Sequence, residues 1–378
     1  MSPGKRIGGV ILGCGIGFVL VAASVGLLSW NEYRTIHRSR GLAEANRDAT
    51  SLPAQQPADP RLKGKLVHLT GTTQTEDALQ DPVFGVRKNA VHLRRRVEMY
   101  QWNEDEETNR EGHTTYSYDL RWMEGRIASE EFHDSVSHEN PTLDFRSEKW
   151  SAGVTRLGAF QLNRRLQEKM DRWQDEAVTE VLLREILQEK FESNCAFEDN
   201  TLFWNQKRKP IPSDPVLGDL RIRFDFVPDG DVSVLAALQG ETFAEYRTSN
   251  GEPLEDLYSE VLTLNEFIGK LRTANTLFAF ALRIGGCVFC CAGIGLVLGP
   301  IRAVFGWVPL LGDIAGGLVA LVAVTSGLIL SLLTIAIAWL AVRPLLAGAL
   351  LVLVGLLSFV LWKLWKSVRS EPPVIATS

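Results

Sequence analysis

Twenty-four residues from Ile7 to Trp30 carry no charged side chain. Three runs near the other end repeat the feature: 18 residues at Ile284–Ile301, 29 at Ile314–Val342 and 19 at Pro344–Trp362. A helix needs about 20 mostly apolar residues to cross the hydrocarbon core of a bilayer. In lipid every backbone amide must find its partner inside the segment, so such runs leave helices as the natural spanning structure. The first run is too long for the apolar core of a secretory signal, about 7–15 residues, and it ends on bulky Leu27, Leu28 and Trp30. It is expected to stay as an anchor, with Trp30 and Tyr33 at headgroup level. Between the second and third runs, Arg302–Asp313 contains Pro309 and is expected to form an interfacial turn. Arg343-Pro344 marks the next break, and residues 314–362 read either as two spans or as one kinked helix.

The charges are segregated accordingly. Of 40 basic and 45 acidic side chains the two ends carry eight and two, so residues 31–272 hold 32 and 43, a net of −11. An acidic, polar middle therefore lies between apolar ends. Lys5 and Arg6 at the front and Lys363, Lys366 and Arg369 at the back place both termini in the cytoplasm by the positive-inside rule. Arg34, Arg38 and Arg40, on the far side of the first span, run against that rule. The middle is expected in a lumen or outside the cell, and its charge argues against a nucleic-acid partner.

Residues 1–30 thus read as a transmembrane anchor and 31–63 as a linker with prolines at 53, 57 and 60. Residues 64–272 read as an acidic α+β domain, 273–362 as three transmembrane helices with the turn at 302–313, and 363–378 as a basic cytoplasmic tail. Within the domain, KLVHLTGTTQ is strand-like, and AVHLRRRVEMYQW alternates, with Arg95 interrupting its apolar face. NEDEETNREGH reads as a polar hairpin loop and TTYSYDLRWMEGRI as the returning strand. Gln161–Phe191 is expected to be helical through Leu162, Leu166, Met170, Trp173, Val181, Ile186 and Leu187. LRIRFDF alternates cleanly, Pro228-Asp229-Gly230 signals a turn, and VSVLAAL is expected to pair back. Tyr258–Leu271 reads as a helix leading into the second span.

Few residues invite a chemical reading. Gly9, Gly13 and Gly17 repeat at i, i+4 and i+8, and Gly295 and Gly299 repeat the spacing once. Such a face lets another helix approach closely, within one chain or between chains. Arg283, Asp313 and Arg343 are candidates for an intramembrane charge site, either snorkelling to the interface or lining an ion path. Cys287 and Cys290 have C-x-x-C spacing, but in an apolar setting that favours packing over redox or metal chemistry. His133 and His138, with Asp134 and Glu139, would carry a membrane-bound hydrolase if there were one; their spacing of five does not put both on one helix face. Arg94–Arg96 suggests phosphate until the strand period sends the three to alternate faces. No G-x-S-x-G, phosphate-loop or H-E-x-x-H motif occurs, so no enzyme, cofactor or resident metal is expected.

Several stretches resemble the transmembrane protein 43 family. SWNEYR resembles its W-N-E-G-R, with Tyr33 where the family has glycine. KLVHLTG, DPVFGV, AVHLRRRVEMYQWNEDEE, YSYDLRW, HENP and GDLRIRFDF follow in the family's order, and AWLAVRPL resembles W-x-x-x-R-P. The resemblance implies four spans with a large lumenal domain and self-association. In a eukaryotic cell it implies residence in the endoplasmic reticulum and inner nuclear membrane, with a role organising nuclear-envelope proteins such as emerin and lamins. In bacterial members the plasma or inner membrane takes that place. It brings no catalytic residue.

The expected fold is an α-helical membrane protein with four transmembrane helices and a large α+β, mainly antiparallel-sheet, extramembrane domain. The expected function is a self-associating scaffold that binds membrane-protein partners. A cation channel or transporter subunit is the alternative, and a membrane-bound hydrolase comes last.

Overall fold

The computed structural model describes residues 3–57, 59–109, 113–176, 193–301, 309–340 and 343–370. The chain forms two compact units. One is helical (Met1–Arg47, Arg247–Glu252 and Ile268–Ser378) and the other sheet-rich (Asp48–Tyr246 and Pro253–Phe267).

The helical unit holds α1 (Pro3–Asp48), most of α3 (Leu264–Val297), α4 (Pro309–Trp339) and α5 (Pro344–Ser370). All four contain stretches long and apolar enough to cross a membrane: Ile11–Asp48, Leu264–Val297, Gly316–Trp339 and Pro344–Lys363. Arg343-Pro344 therefore separates two helices. Pro309, expected to lie within an interfacial turn, instead opens α4, where a proline loses no hydrogen bond. That corrects the 302–313 turn at its C-terminal end; residues 302–308 lie outside the described residues. The basic tail likewise begins inside α5, which runs through Lys363 and Lys366 to Ser370.

The expected linker at 31–63 is corrected most. Residues 31–48 continue α1 without a break. NEYRTIHRSRGLAEANRD has no proline, and four Arg, two Glu, two Ala and one Leu make up half of it, residues that lose little freedom in a helix. The prolines that suggested a linker begin only at 53. A turn at 248–252 rides on this polar extension. Arg38 Nη1 bonds Glu252 Oε1 at 2.6 Å, Asn250 Nδ2 donates to the His37 carbonyl at 2.8 Å, and the Ser249 amide donates to Glu44 at 2.8 Å. Gly41 makes room for it: a Cβ there would lie 2.8 Å from the Glu252 Cβ.

The sheet unit is built on two seven-stranded sheets, and their strands are mostly antiparallel. The first runs β1 (Thr50–Pro53), β2 (Leu66–Gln74), β8 (Arg156–Leu157), β9 (Phe160–Gln161), β15 (Thr242–Ala244), β14 (Asp231–Gln239) and β18 (Asp256–Tyr258). Because β14 also pairs with β2, the circuit closes on itself. Val67, Leu69, Leu157, Phe160, Val232 and Val234 belong to its core. The second sheet runs β11 (Cys195–Glu198), β12 (Thr201–Trp204), β13 (Leu220–Val227), β5 (His92–Thr108) and β6 (Thr114–Glu124). There β7 (Glu148–Ser151) adds to β5 and β10 (Gln174–Asp175) to β13. Its core holds Phe84, Leu93, Val97, Met99, Ile222 and Phe224. The remaining strands are short: β3 (Ala78–Gln80) pairs with β4 (Arg87–Asn89), and β16 (Tyr246–Arg247) and β17 (Pro253–Leu254) have two residues each.

Three expectations about this unit change. VSVLAAL does not return on LRIRFDF; β13 pairs with β5 and β12, whereas β14 pairs with β2, β15 and β18. The burial patterns give the reason. β13 has a charged face, but β14 is buried on both faces from Val232 to Leu238 and needs cover on each side. Pro228–Gly230 is thus a crossing between sheets. The helix expected over 161–191 shrinks to α2 (Arg164–Gln167), with Asn163 Oδ1 accepting from the Leu166 amide at 3.0 Å. Leu162, Leu166 and Met170 do enter the core, but the chain is extended by Gln174. Val181, Ile186 and Leu187 lie outside the described residues. Finally, Tyr258 ends a strand, and α3 starts at Leu264. Thr263 and Glu266 form its capping box: the Thr263 amide and hydroxyl both reach Glu266 Oε2 at 2.8 Å.

Candidate functional site

The helical unit buries an ion pair. Glu32, two residues beyond the first uncharged run, has no exposed surface. Arg283 Nε donates to Glu32 Oε1 at 2.6 Å and Nη2 to Oε2 at 2.8 Å, a fork-on-fork pair. Trp339 Nε1 on α4 donates to Glu32 Oε2 at 2.6 Å, and the Arg283 guanidinium sits 5.2 Å from the Trp339 ring centre. One carboxylate thus ties three helices. Beside it Asn31 Nδ2 donates to the Ala279 carbonyl at 3.0 Å. One turn on, Arg34 Nη2 donates to Asn275 Oδ1 at 3.1 Å, and Asn275 Nδ2 reaches the Thr35 carbonyl at 3.2 Å. A polar seam therefore joins α1 to α3, starting where the apolar part of α1 ends.

On the apolar side the seam gives way to close backbone contact. A Cβ on Gly17 would lie 2.6 Å from the Gly293 carbonyl oxygen, and one on Gly293 2.9 Å from the Gly17 oxygen. Gly286 receives Leu28 in the same way, with Cδ2 at 2.6 Å, and Gly327 of α4 receives Cys291. Of the expected glycines, Gly17 is in this contact. A Cβ on Gly295 would lie 3.8 Å from the Ala323 Cβ, and one on Gly9, Gly13 or Gly299 would meet nothing within 4 Å among the described residues. Of the charges, Arg283 is the core of the pair, and exposed Arg343 lies 5.8 Å from the Trp339 ring centre. Asp313 lies near the start of α4.

The sheet unit disperses its chemistry. Arg95 is buried with Asp81 at 2.5 Å, and Asp81 Oδ1 also accepts from the Val83 and Phe84 amides at 2.7 and 2.9 Å. The interruption in the alternating strand is therefore a neutralised node inside the core. On the other face of β5, Asp225 accepts from Arg94 and Arg96, each at 2.9 Å, and Glu98 accepts from Arg221 at 2.5 Å and Arg223 at 3.2 Å. Burial alone would raise both carboxyls; these arginines outweigh it and hold both below their ordinary values. The arginine triplet is thus compensated from within the sheet. His133 stacks on Tyr116 at 4.2 Å and His138 on Tyr118 at 3.7 Å. The Tyr118 hydroxyl and the His133 amide both donate to Glu104 Oε2 at 2.6 Å. The two histidines stand in separate aromatic stacks rather than on one site. Among the described residues no group of three His, Cys, Asp or Glu side chains could hold a metal.

Sequence reasoning singled out Arg283 and passed over Glu32 and Trp339. The available signal was sign and position: Glu32 is the first charge after one uncharged run, and Arg283 the last before the next. Gly286, Gly293 and Gly327 sit in helices without a repeat to mark them.

The family model described as "Transmembrane protein 43" matches residues 99–344. The rat Transmembrane protein 43 is 28% identical over 333 residues, 83% of this chain and 80% of the relative. The human protein of that name gives the same identity and coverage. The Transmembrane protein 43 homolog of Drosophila melanogaster is 29% identical over 312 residues, 79% of this chain and 80% of the relative. No solved structure matches significantly. The match runs from the second sheet through α3 and α4 to the first residue of α5 and takes in Arg283 and Trp339, and on that breadth the chain belongs to the transmembrane protein 43 family.

Proposed function

We propose that the protein is a multi-pass membrane scaffold that self-associates through its spans and presents its acidic domain to membrane-protein partners. In a eukaryotic cell it sits in the endoplasmic reticulum and inner nuclear membrane and organises nuclear-envelope proteins of the emerin and lamin type. In a bacterium it sits in the plasma or inner membrane. Both termini are cytoplasmic, by the basic residues that flank the runs.

One observation carries the self-association. Gly17 is met by Gly293 and Val297, but a Cβ on Gly13 or Gly9, one and two turns on, would meet nothing within 4 Å among the described residues. The bare face outruns its partner within the chain and suits a helix from a second one. The ion pair weighs against the channel alternative, because the guanidinium that would line a pathway is neutralised by Glu32. Chemical crosslinking in native membranes tests the reading. Gly9→Leu with Gly13→Leu should abolish most crosslinked oligomer while leaving the monomer folded. Undiminished oligomers would remove the glycine face as the contact.

A further inference from the structure

The strand β6 is an unprotected sheet edge. It pairs with β5 without a bulge from Glu98↔Glu124 to Thr108↔Thr114, and among the described residues no strand lies on its other side. Eleven residues, TTYSYDLRWME, contain neither proline nor lysine, the common defences of an edge. Tyr100, an even position of β5, directs its amide and carbonyl toward Asp219 and Gly218, away from β6. Alternation then aims the odd residues of β5 at the odd residues of β6. The amides and carbonyls of Tyr116, Tyr118, Leu120, Trp122 and Glu124 point outward, and among the described residues none of these backbone groups has a partner.

We propose that β6 pairs antiparallel with β6 of a second copy of this chain, about a twofold axis at Leu120. The sequence around that point is self-complementary: Tyr118-Asp119-Leu120-Arg121-Trp122. With Leu120 opposite Leu120, Asp119 faces Arg121 of the second copy and Arg121 faces Asp119. Tyr118 faces Trp122 in the same doubled way, an aromatic cross-strand pair. Centres one residue away put Asp119 on Asp119 or Arg121 on Arg121. Centres two residues away leave both charges without a cross-strand opposite. Only the Leu120 centre satisfies both charges, and the outward backbone positions then meet as hydrogen-bonded pairs. Asp119 and Arg121 share one face and already bond to each other at 2.7 Å, with Asp105 on Arg121 at 2.7 Å, so the paired edges bring together charges of alternating sign. The contact is isologous and closes as a dimer. It rests on the self-association read above and adds to it a second contact outside the spans.

Leu120→Cys in the full chain, in native membranes, tests the register. Residues in a hydrogen-bonded antiparallel pair have Cα atoms about 5.5 Å apart, inside the range a disulfide bridges. Thr114→Cys is the control, because the two copies of that position would lie roughly 40 Å apart. Mild oxidation should convert most of Leu120→Cys to covalent dimer, several-fold above the control and the parent, whose native cysteines set the background. Asp119→Arg added to Leu120→Cys should cut the yield several-fold, and Arg121→Asp on top should restore most of it. Leu120→Pro removes an outward amide that β5 does not use, so the sheet should keep its fold while amine-crosslinked dimer falls. Leu120→Cys crosslinking no better than Thr114→Cys overturns the pairing. If oligomers sensitive to Gly9 and Gly13 persist in that case, the edge alone is wrong; if no oligomer forms by either route, self-association falls with it.

Discussion

Breaking the Glu32–Arg283 pair should destabilise the helical unit far more than deleting it. Glu32 is fully buried and Arg283 is one-fifth exposed, and the fork bond is backed by the Trp339 indole. Removing one member of a buried pair leaves the other desolvated without compensation, a cost of about 3–5 kcal/mol. Glu32→Leu should fall at the lower end, because Arg283 keeps some solvent contact and a long stem. Arg283→Met should fall at the upper end, because it strands the fully buried carboxylate. Replacing both by apolar side chains of similar volume removes the desolvation along with the attraction, so Glu32→Leu/Arg283→Met should lie within about 1–2 kcal/mol of the parent. The cycle then yields a coupling of about 4 kcal/mol or more, as expected only for groups in direct contact. Unfolding in mixed micelles, followed by tryptophan fluorescence, reads the three variants against the parent. Singles within ~0.5 kcal/mol of the parent, or a double variant as unstable as the two singles summed, would refute the buried-pair argument.

The other predictions concern packing, the sheet core and pH. Gly17→Ala puts a methyl 2.6 Å from a backbone oxygen and should cost about 1–3 kcal/mol in a melt of the detergent-solubilised chain, whereas Gly13→Ala, with open space around it, should not lower the midpoint. Asp81→Asn should cost about 3–5 kcal/mol by leaving the buried Arg95 charge underpaired, read as faster hydrogen exchange across β5 and β7. Stability of the sheet unit should fall in two stages on acidification. Burial lowers the His68 and His92 pKa values, so the unfolded imidazoles take up protons that the folded ones refuse, and stability drops as pH falls below about 6.5. Asp225 and Glu98 are held below their ordinary values by their arginines, so a second loss follows below about pH 4 as the unfolded and then the folded carboxylates protonate. Hydrogen exchange at pH 7.5, 5.5 and 3.5 reads both stages; a flat response between the first two would exclude the histidine contribution.

The strands were legible where one face meets water. His92–Met99 and Leu220–Phe226 alternate because sheet two has a core on one side and an arginine–carboxylate ladder on the other. VSVLAAL was legible as a strand but not in its pairing, because a segment buried on both faces carries no sign of which neighbour covers which side. The span lengths followed from the absence of charge, yet the end of α1 did not. Its polar extension has the composition of any solvated segment, and only the turn at 248–252, some 200 residues away, shows what it supports. The expected helix at 161–191 failed for a related reason. Apolar residues three to five apart fit a helix loosely, and Leu162, Leu166 and Met170 reach the same core through one short turn and an extended chain.

The candidate site was half legible, and its missing half follows from how charge enters a membrane protein. A lone arginine at the edge of an apolar run has two outcomes, a snorkel to the interface or a partner at the same depth. Depth can be read from sequence as distance from the nearest uncharged run, and on that measure Glu32 and Arg283 match: each flanks such a run on the side away from the basic tails. Opposite sign at matched depth is thus a sequence criterion for pairing, and the fork bond satisfies it. Trp339 has no such signature. Its indole reaches Glu32 because Gly286 and Gly293 bring α1 close to α3, and Gly327 brings α4 onto α3. The small residues therefore do for the charged site what a hinge pin does for a joint: they set the helix separation at which one carboxylate can accept from two other helices. Gly17→Ala should accordingly weaken the Glu32–Trp339 bond about four turns away, and a changed Trp339 indole N–H resonance in that variant would register it.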